Sequence, residues 1–73
     1  MTEGELAVAA MHRICKKAGA ERVSESAAIE MSKVLEEIGT KIGKEAIDFA
    51  MHAGRKTVKE EDIRIAAKKV LSR

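Results

Sequence analysis

Several residue types are scarce in this chain, and each scarcity excludes a class of structure. Proline, tryptophan and tyrosine are absent, Phe49 is the only aromatic residue, and Cys15 is the only cysteine. A single cysteine excludes an internal disulfide, and with only two histidines no zinc-site spacing appears. No apolar run approaches the roughly 20 residues that span a bilayer. The acidic start argues against a secretory signal, so we expect a soluble intracellular protein.

The residues that are present favour a helical protein that needs a partner. Of the 73 residues, 45% are hydrophobic and 36% are charged, which is typical of a globular chain. The chain lacks proline and is rich in alanine, glutamate, lysine, isoleucine and methionine, a composition that favours helices. So short a chain has a small core and usually depends on disulfides, a metal or oligomerisation. Since no disulfide, metal or cofactor is predicted, oligomerisation remains as the source of additional stability.

Apolar residues at helical spacing predict one domain with three helices, at about 5–17, 25–52 and 60–71. Ser24 is a natural N-cap for the second helix. Gly19 and Gly54 follow the first and second helices, where glycine commonly ends a helix. The pattern Thr57-x-x-Glu60 matches a capping box before the third helix.

The second helix has an apolar stripe too long for its own chain to cover. Its residues step by three or four along the whole segment: Ala28, Met31, Leu35, Ile38, Ile42, Ala46, Phe49 and Ala53. A helix of about 28 residues is roughly 42 Å long. A compact domain of this size has a radius of gyration of about 11 Å. Two short flanking helices cannot cover the stripe, so a second long helix must cross it in an intertwined dimer.

Two motifs then point to a family. The segments AGAERVS (residues 18–24) and HAGRKTVK (residues 52–59), the second followed by Glu61-Asp62-Ile63, resemble an archaeal histone, and the similarity runs from about Leu6 to Lys69. The resemblance implies an all-α histone fold of short, long and short helices. It also implies a handshake dimer, in which two long helices cross antiparallel and each first loop lies beside the partner's second loop.

The resemblance implies a set of DNA-binding residues. Arg22 would enter an inward-facing minor groove, Lys56 and Thr57 would hold phosphates, and Arg13 would approach DNA at the centre of the dimer. Lys16 is a further candidate. Arginine suits such a groove because it is planar, always charged and weakly hydrated. The alternative is that these are solvated surface side chains, and that Lys16 only complements the dipole of its helix end.

Structural and assembly roles follow from the same resemblance. Arg55 and Asp62 look like an internal ion pair that fixes the second loop against the third helix. A contact between dimers is implied for four residues: Phe49, His52, Asp62 and Ile65. For His52 the alternative is that it caps carbonyl groups at a helix end.

The chain departs from the usual pattern of this family in two respects. No proline precedes the first helix, which allows that helix to start earlier. Asp48 and Met51 stand where basic residues are common, which weakens either DNA contact or contact between dimers.

The expected function is sequence-nonspecific wrapping and compaction of duplex DNA by a homodimer, or a heterodimer with related chains, and by tetramers or longer stacks on DNA. We expect the protein in the cytoplasm on the chromosome or nucleoid, without membrane or small-molecule partners. The alternative is an interaction module that heterodimerises with or caps other histones and binds DNA weakly. No enzyme is predicted, because catalytic constellations and phosphate-binding glycine loops are missing. Without aromatic stacking residues, single-strand binding is disfavoured.

Overall fold

The computed structural model describes residues 3–72, except for the side chains of Glu3, Glu5 and Leu6. Its helices are α1 (Glu3–Lys17), α2 (Glu25–His52) and α3 (Glu60–Leu71), and no strand occurs within residues 3–72. The all-α architecture with a long central helix is therefore confirmed. The first helix begins at Glu3 rather than near Glu5, and no proline is present there to stop it. The sequence predicts an apolar stripe on α1 at Leu6, Ala10, Ile14 and Ala18, with Met11 and Cys15 alongside. The side chain of Leu6 lies outside the described residues.

Both of the first two helices end on a glycine in a left-handed conformation, as the sequence predicts. Gly19 has a φ of 111° and Gly54 a φ of 74°. At each end the glycine amide donates to the carbonyl three residues back, and the next amide donates to the carbonyl five residues back, over 2.9–3.1 Å. This is the Schellman arrangement, which satisfies carbonyls that the helix leaves unpaired. A residue with a Cβ would be strained at either glycine.

The N-terminal caps are confirmed for α2 and corrected for α3. Ser24 Oγ accepts a hydrogen bond from the Ala27 amide at 3.1 Å, so Ser24 is the N-cap of α2. For α3 the capping box between Thr57 and Glu60 is wrong. The N-cap is Lys59, and its amide donates to Asp62 Oδ2 at 2.8 Å, so the acidic residue of the box lies two positions further on.

The chain divides into two compact units, Met1–Glu36 and Glu37–Arg73. In the first unit α1 accompanies the first part of α2, where Ala28 is fully buried. In the second unit three small side chains are buried, those of Ala46, Ala50 and Ala66. Lys69 Nζ of α3 also bonds Glu45 Oε2 of α2 at 2.9 Å. Hydrogen bonding to this carboxylate raises the pKa of Lys69. Alanine thus occupies the buried positions, where it allows two helix backbones to approach closely.

Most large apolar side chains stay in contact with water. None of those described is fully buried, and ten are exposed by more than a third: Ile14, Ile29, Val34, Leu35, Ile47, Met51, Val58, Ile63, Ile65 and Leu71. Others on the α2 stripe, such as Ile38 and Ile42, are only half-buried. Isoleucine, valine and leucine are among the residue types most often fully buried in folded proteins, so this exposure is unusual.

Candidate nucleic-acid interface

Loop 1 (residues 18–24) joins α1 to α2 and carries the exposed side chain of Arg22. Before Arg22, the ammonium group of Lys16 donates a hydrogen bond to the backbone carbonyl of Glu21. After Arg22, the side chain of Ser24 caps α2. Arg22 therefore projects from a short backbone segment that is held on both sides.

Loop 2 (residues 53–59) is organised around the guanidinium of Arg55. Its Nη1 donates to the Thr57 carbonyl at 3.0 Å and to Asp62 Oδ2 at 2.9 Å, while Nη2 donates to Asp62 Oδ1 at 3.1 Å. This two-pronged pairing is the geometry in which arginine and carboxylate bind most strongly. Lys56 and Thr57 are exposed between these fixed points. The middle of the loop thus presents the Lys56 ammonium and the Thr57 hydroxyl on a braced backbone.

Asp62 is the one buried charged residue of the described chain, with 3% of its surface exposed. Its carboxylate receives the two Arg55 bonds and the Lys59 amide bond. These contacts lower the pKa of Asp62 from its ordinary 3.8 to about 2, the Arg55 hydrogen bond contributing most and the Lys59 amide next. The same pairing raises the pKa of Arg55, and Glu61 Oε1 adds a weaker attraction at 3.8 Å.

The ion pair predicts a specific acid sensitivity. A carboxyl group whose pKa is lower in the folded state stabilises the fold above its unfolded pKa, and this contribution disappears as the pH falls through the folded pKa. Asp62→Asn should therefore be less stable than wild type above about pH 4, and the gap should close as the pH falls to about 2. Urea unfolding at fixed protein concentration, followed by circular dichroism across this range, measures the gap.

Glu37→Gln is the matched control, because Glu37 is an exposed carboxylate on α2. We expect its stability to follow wild type at every pH. A stability gap for Asp62→Asn that stays constant from pH 7 to pH 2 would contradict the assigned role of the ion pair.

The DNA-binding candidates are divided between the two compact units. Arg13 and Lys16 of α1 and Arg22 of loop 1 belong to the first unit, whereas Lys56 and Thr57 belong to the second. All five are exposed. Arg13 and Lys17 are four residues apart and share one face of α1.

The four residues expected at a contact between dimers all lie in the second unit, but they differ in accessibility. Ile65 is 51% exposed and His52 is exposed, whereas Phe49 is half-buried and Asp62 is buried. The Nδ1 atom of His52 lies 2.8 Å from the Asp48 carbonyl. Because a carbonyl oxygen only accepts, Nδ1 donates in this bond and caps the end of α2. The Nε2 atom is left for a further partner.

Three contacts were not anticipated from the sequence. The Lys59 amide bond to Asp62 has a local signal, an acidic residue three positions after the cap. The bond from Lys16 to the Glu21 carbonyl has no local sequence signal, because lysine is common in the last turn of helices without making such a bond. Lys69 and Glu45 are 24 residues apart, so no local spacing predicts their pairing.

Within residues 3–72, no helix has the length and apolar character that a membrane crossing requires. In the same part of the chain, no three histidine, cysteine, aspartate or glutamate side chains come together as metal ligands would.

Comparison with known proteins gives consistent results along the chain. A family model described as histone-like transcription factor (CBF/NF-Y) and archaeal histone matches residues 4–67. One of the subunits of archaeal histone HAN1 from Thermococcus zilligii is 56% identical over 64 residues, which are 88% of this chain and 96% of that protein. Probable archaeal histone 3 of Methanocaldococcus jannaschii is 53% identical over 62 residues, which are 85% of this chain and 92% of that protein.

Proposed function

Because the chain belongs to the family of histone-like transcription factors and archaeal histones, we propose that it wraps duplex DNA around dimers of itself without reading the base sequence. Membership of this family supports a DNA-packaging function in general. The observation that carries the finer proposal is the bracing of both loops, since loop 1 presents Arg22 and loop 2 presents Lys56 with Thr57 as exposed groups.

Dimerisation is the first step of the proposal. The α2 stripe is only half-covered by its own chain at Ile38 and Ile42, and Leu35 is 38% exposed. Burying such side chains contributes about 25 cal/mol per Å² of apolar area, so a second α2 crossing the first gives the chain the core that it lacks. Gly39 lies at the middle of α2 and has open space where a Cβ would stand, so a second backbone can approach closely there.

Binding to DNA is the second step. Antiparallel crossing of two α2 helices would put loop 1 of one chain beside loop 2 of its partner, which would combine Arg22 with Lys56 and Thr57. Cations at phosphates release counterions, and this supplies most of the affinity that does not depend on sequence. An arginine in a narrow minor groove adds to this affinity without reading the bases. Arg13 would extend the contact along α1.

Assembly beyond the dimer is the third step. Phe49, His52 and Ile65 would form a contact that meets its own copy about a two-fold axis, giving tetramers or longer stacks. Asp62 Oδ1 accepts a hydrogen bond from Arg55 Nη2. As a carboxylate oxygen it can accept another from the Nε2–H of a partner's histidine when that ring is an imidazolium, because its Nδ1–H is used at the Asp48 carbonyl. DNA would reinforce this contact because it raises the local concentration of dimers. The protein would accordingly reside on the chromosome.

Gel-shift titration at several salt concentrations, with nuclease digestion of the same complexes, tests the proposal. A dimer with two copies each of Arg13, Arg22 and Lys56 offers six cations, so log K against log salt should have a slope of about −5. Duplexes of different sequence should bind with similar affinity, and protected fragments should come in multiples of one dimer's footprint. A slope near zero would refute the proposal.

A second candidate function is that of a histone chain that pairs with a different, related histone. It is favoured by the name of the Thermococcus zilligii relative, which describes that protein as one subunit of a histone. It is also favoured by Met51, which is 66% exposed at a position where the resemblance to archaeal histones implies a basic residue. If the purified chain is unfolded alone and folds only when a related chain is added, this second function is preferred.

A further inference from the structure

Lys16 differs from its neighbour Lys17 in what its ammonium group does. Both are exposed lysines in the last turn of α1. The ammonium of Lys16 bonds the backbone carbonyl of Glu21 in loop 1, whereas Lys17 has no hydrogen-bond or ion-pair partner within residues 3–72. We infer that Lys16 is a positioning residue for Arg22, acting through the loop backbone rather than at a phosphate of its own. This inference rests on the proposed function.

The atom that Lys16 holds is the one best placed to orient Arg22. The Glu21 carbonyl belongs to the planar peptide group that includes the Arg22 amide. Fixing this oxygen therefore fixes the plane from which the Arg22 backbone continues. On the other side, Ser24 is anchored by its bond to the Ala27 amide. Only Arg22 and Val23 lie between the two anchored residues, and Val23 is half-buried.

The rest of loop 1 cannot supply this restraint. The amides of Gly19 and Ala20 are already used to close the end of α1. That motif determines where the chain leaves the helix, but it ends before the peptide that carries Arg22. Without the Lys16 bond, Glu21 and Arg22 would regain backbone freedom, which DNA binding would have to remove.

Loop 2 is braced in the same way, which gives the bond at Lys16 a counterpart within the chain. There Arg55 donates to the carbonyl of Thr57, the residue after Lys56. In both loops a cation from the chain itself holds a backbone carbonyl next to an exposed candidate for DNA binding. Because the same kind of hydrogen bond occurs in both loops, we infer that each loop is preorganised for a rigid ligand such as duplex DNA.

A double-mutant cycle on the full-length protein tests the inference. The variants are Lys16→Met, the control Lys17→Met, Arg22→Ala, and each methionine variant combined with Arg22→Ala. Methionine keeps most of the length of the lysine side chain and removes its charge and its hydrogen-bond donors. Gel-shift affinity for a single duplex at fixed salt is the readout, and circular dichroism with sedimentation establishes that each variant is folded.

We expect Lys16→Met to lower affinity by about tenfold more than Lys17→Met in the wild-type background, because freed backbone must be ordered again in both loops of the dimer. In the Arg22→Ala background the two methionine variants should lower affinity equally, since no arginine remains to be positioned. Such non-additivity is the signature of residues that act together. Lys16→Arg, which retains a donor, should restore most of the affinity.

Each other outcome has a distinct meaning. If Lys16→Met causes the same loss with and without Arg22, Lys16 acts at its own phosphate or through general stability, and the inference is overturned. If Arg22→Ala itself leaves affinity unchanged, the proposed DNA-binding role of loop 1 fails, and the inference fails with it.

Discussion

Ile38→Lys should unfold the protein at micromolar concentration, which is the largest effect that we expect from any single substitution. Ile38 lies on the α2 stripe, is only half-buried by its own chain, and would be covered by the second α2 at the crossing. In the dimer, each of the two chains would bury one unpaired lysine ammonium in the core, at a cost of at least several kcal/mol of stability. Small dimers seldom have the stability to absorb such a loss. Ile42→Lys should behave in the same way.

Circular dichroism and analytical sedimentation of wild type and variant measure this effect. Met51→Lys is the matched control, because it adds the same charge to the same helix at a position that is 66% exposed. Wild type and Met51→Lys should sediment as folded dimers, whereas Ile38→Lys should be an unfolded monomer. A folded wild-type monomer at micromolar concentration, or a folded Ile38→Lys dimer, would rule out the crossing of two α2 helices.

The second large effect is expected for Arg22→Ala in DNA binding. Each dimer loses two arginines from the proposed minor-groove contacts, which should weaken binding by about 100-fold if each contributes about 1.4 kcal/mol. The slope of log K against log salt should become shallower by about 2, one for each arginine lost, because a cation bound in the groove also releases counterions. The loss should be greatest on duplexes with narrow A-tract minor grooves, since these attract arginine most strongly.

Gel-shift titration on A-tract and mixed-sequence duplexes provides the measurement. Arg64→Ala is the control, because Arg64 is an exposed arginine on α3 that pairs with Glu60 at 3.1 Å and lies outside both loops. We expect its affinity to stay within about threefold of wild type. Equal losses for Arg22→Ala and Arg64→Ala would mean that loop 1 has no special role and that net charge alone governs binding.

Local patterns predicted the helices well because helix ends depend on neighbouring residues. Ser24 caps α2 as its side-chain chemistry requires, and Gly19 and Gly54 adopt the positive φ angles that end a helix. The predicted bounds of α2 and α3 agree with the structure. The Arg55–Asp62 pair, which only the resemblance suggested, is present in the structure.

Patterns at the surface of a helix were less informative. On α1 the expected stripe included Ile14, yet Ile14 is 42% exposed, whereas Met11 and Cys15 beside it are half-buried. Periodicity indicates that a helix has an apolar side, but the side that its own chain covers depends on how the neighbouring helix packs. We propose that a partner chain covers the apolar positions that the chain's own helices leave exposed.

The sequence by itself determined the three helices, their ends, and the excess of apolar residues along α2, because each follows from interactions within a few residues. Only the tertiary structure decided that Asp62 is buried, that Lys69 pairs with Glu45, and that Lys16 holds the Glu21 carbonyl. These contacts join groups on different elements, and a side chain reaches such a partner only when the backbone has already brought the two together. The braces of both loops therefore depend on the three-dimensional fold, while the residues that they present are visible in the sequence.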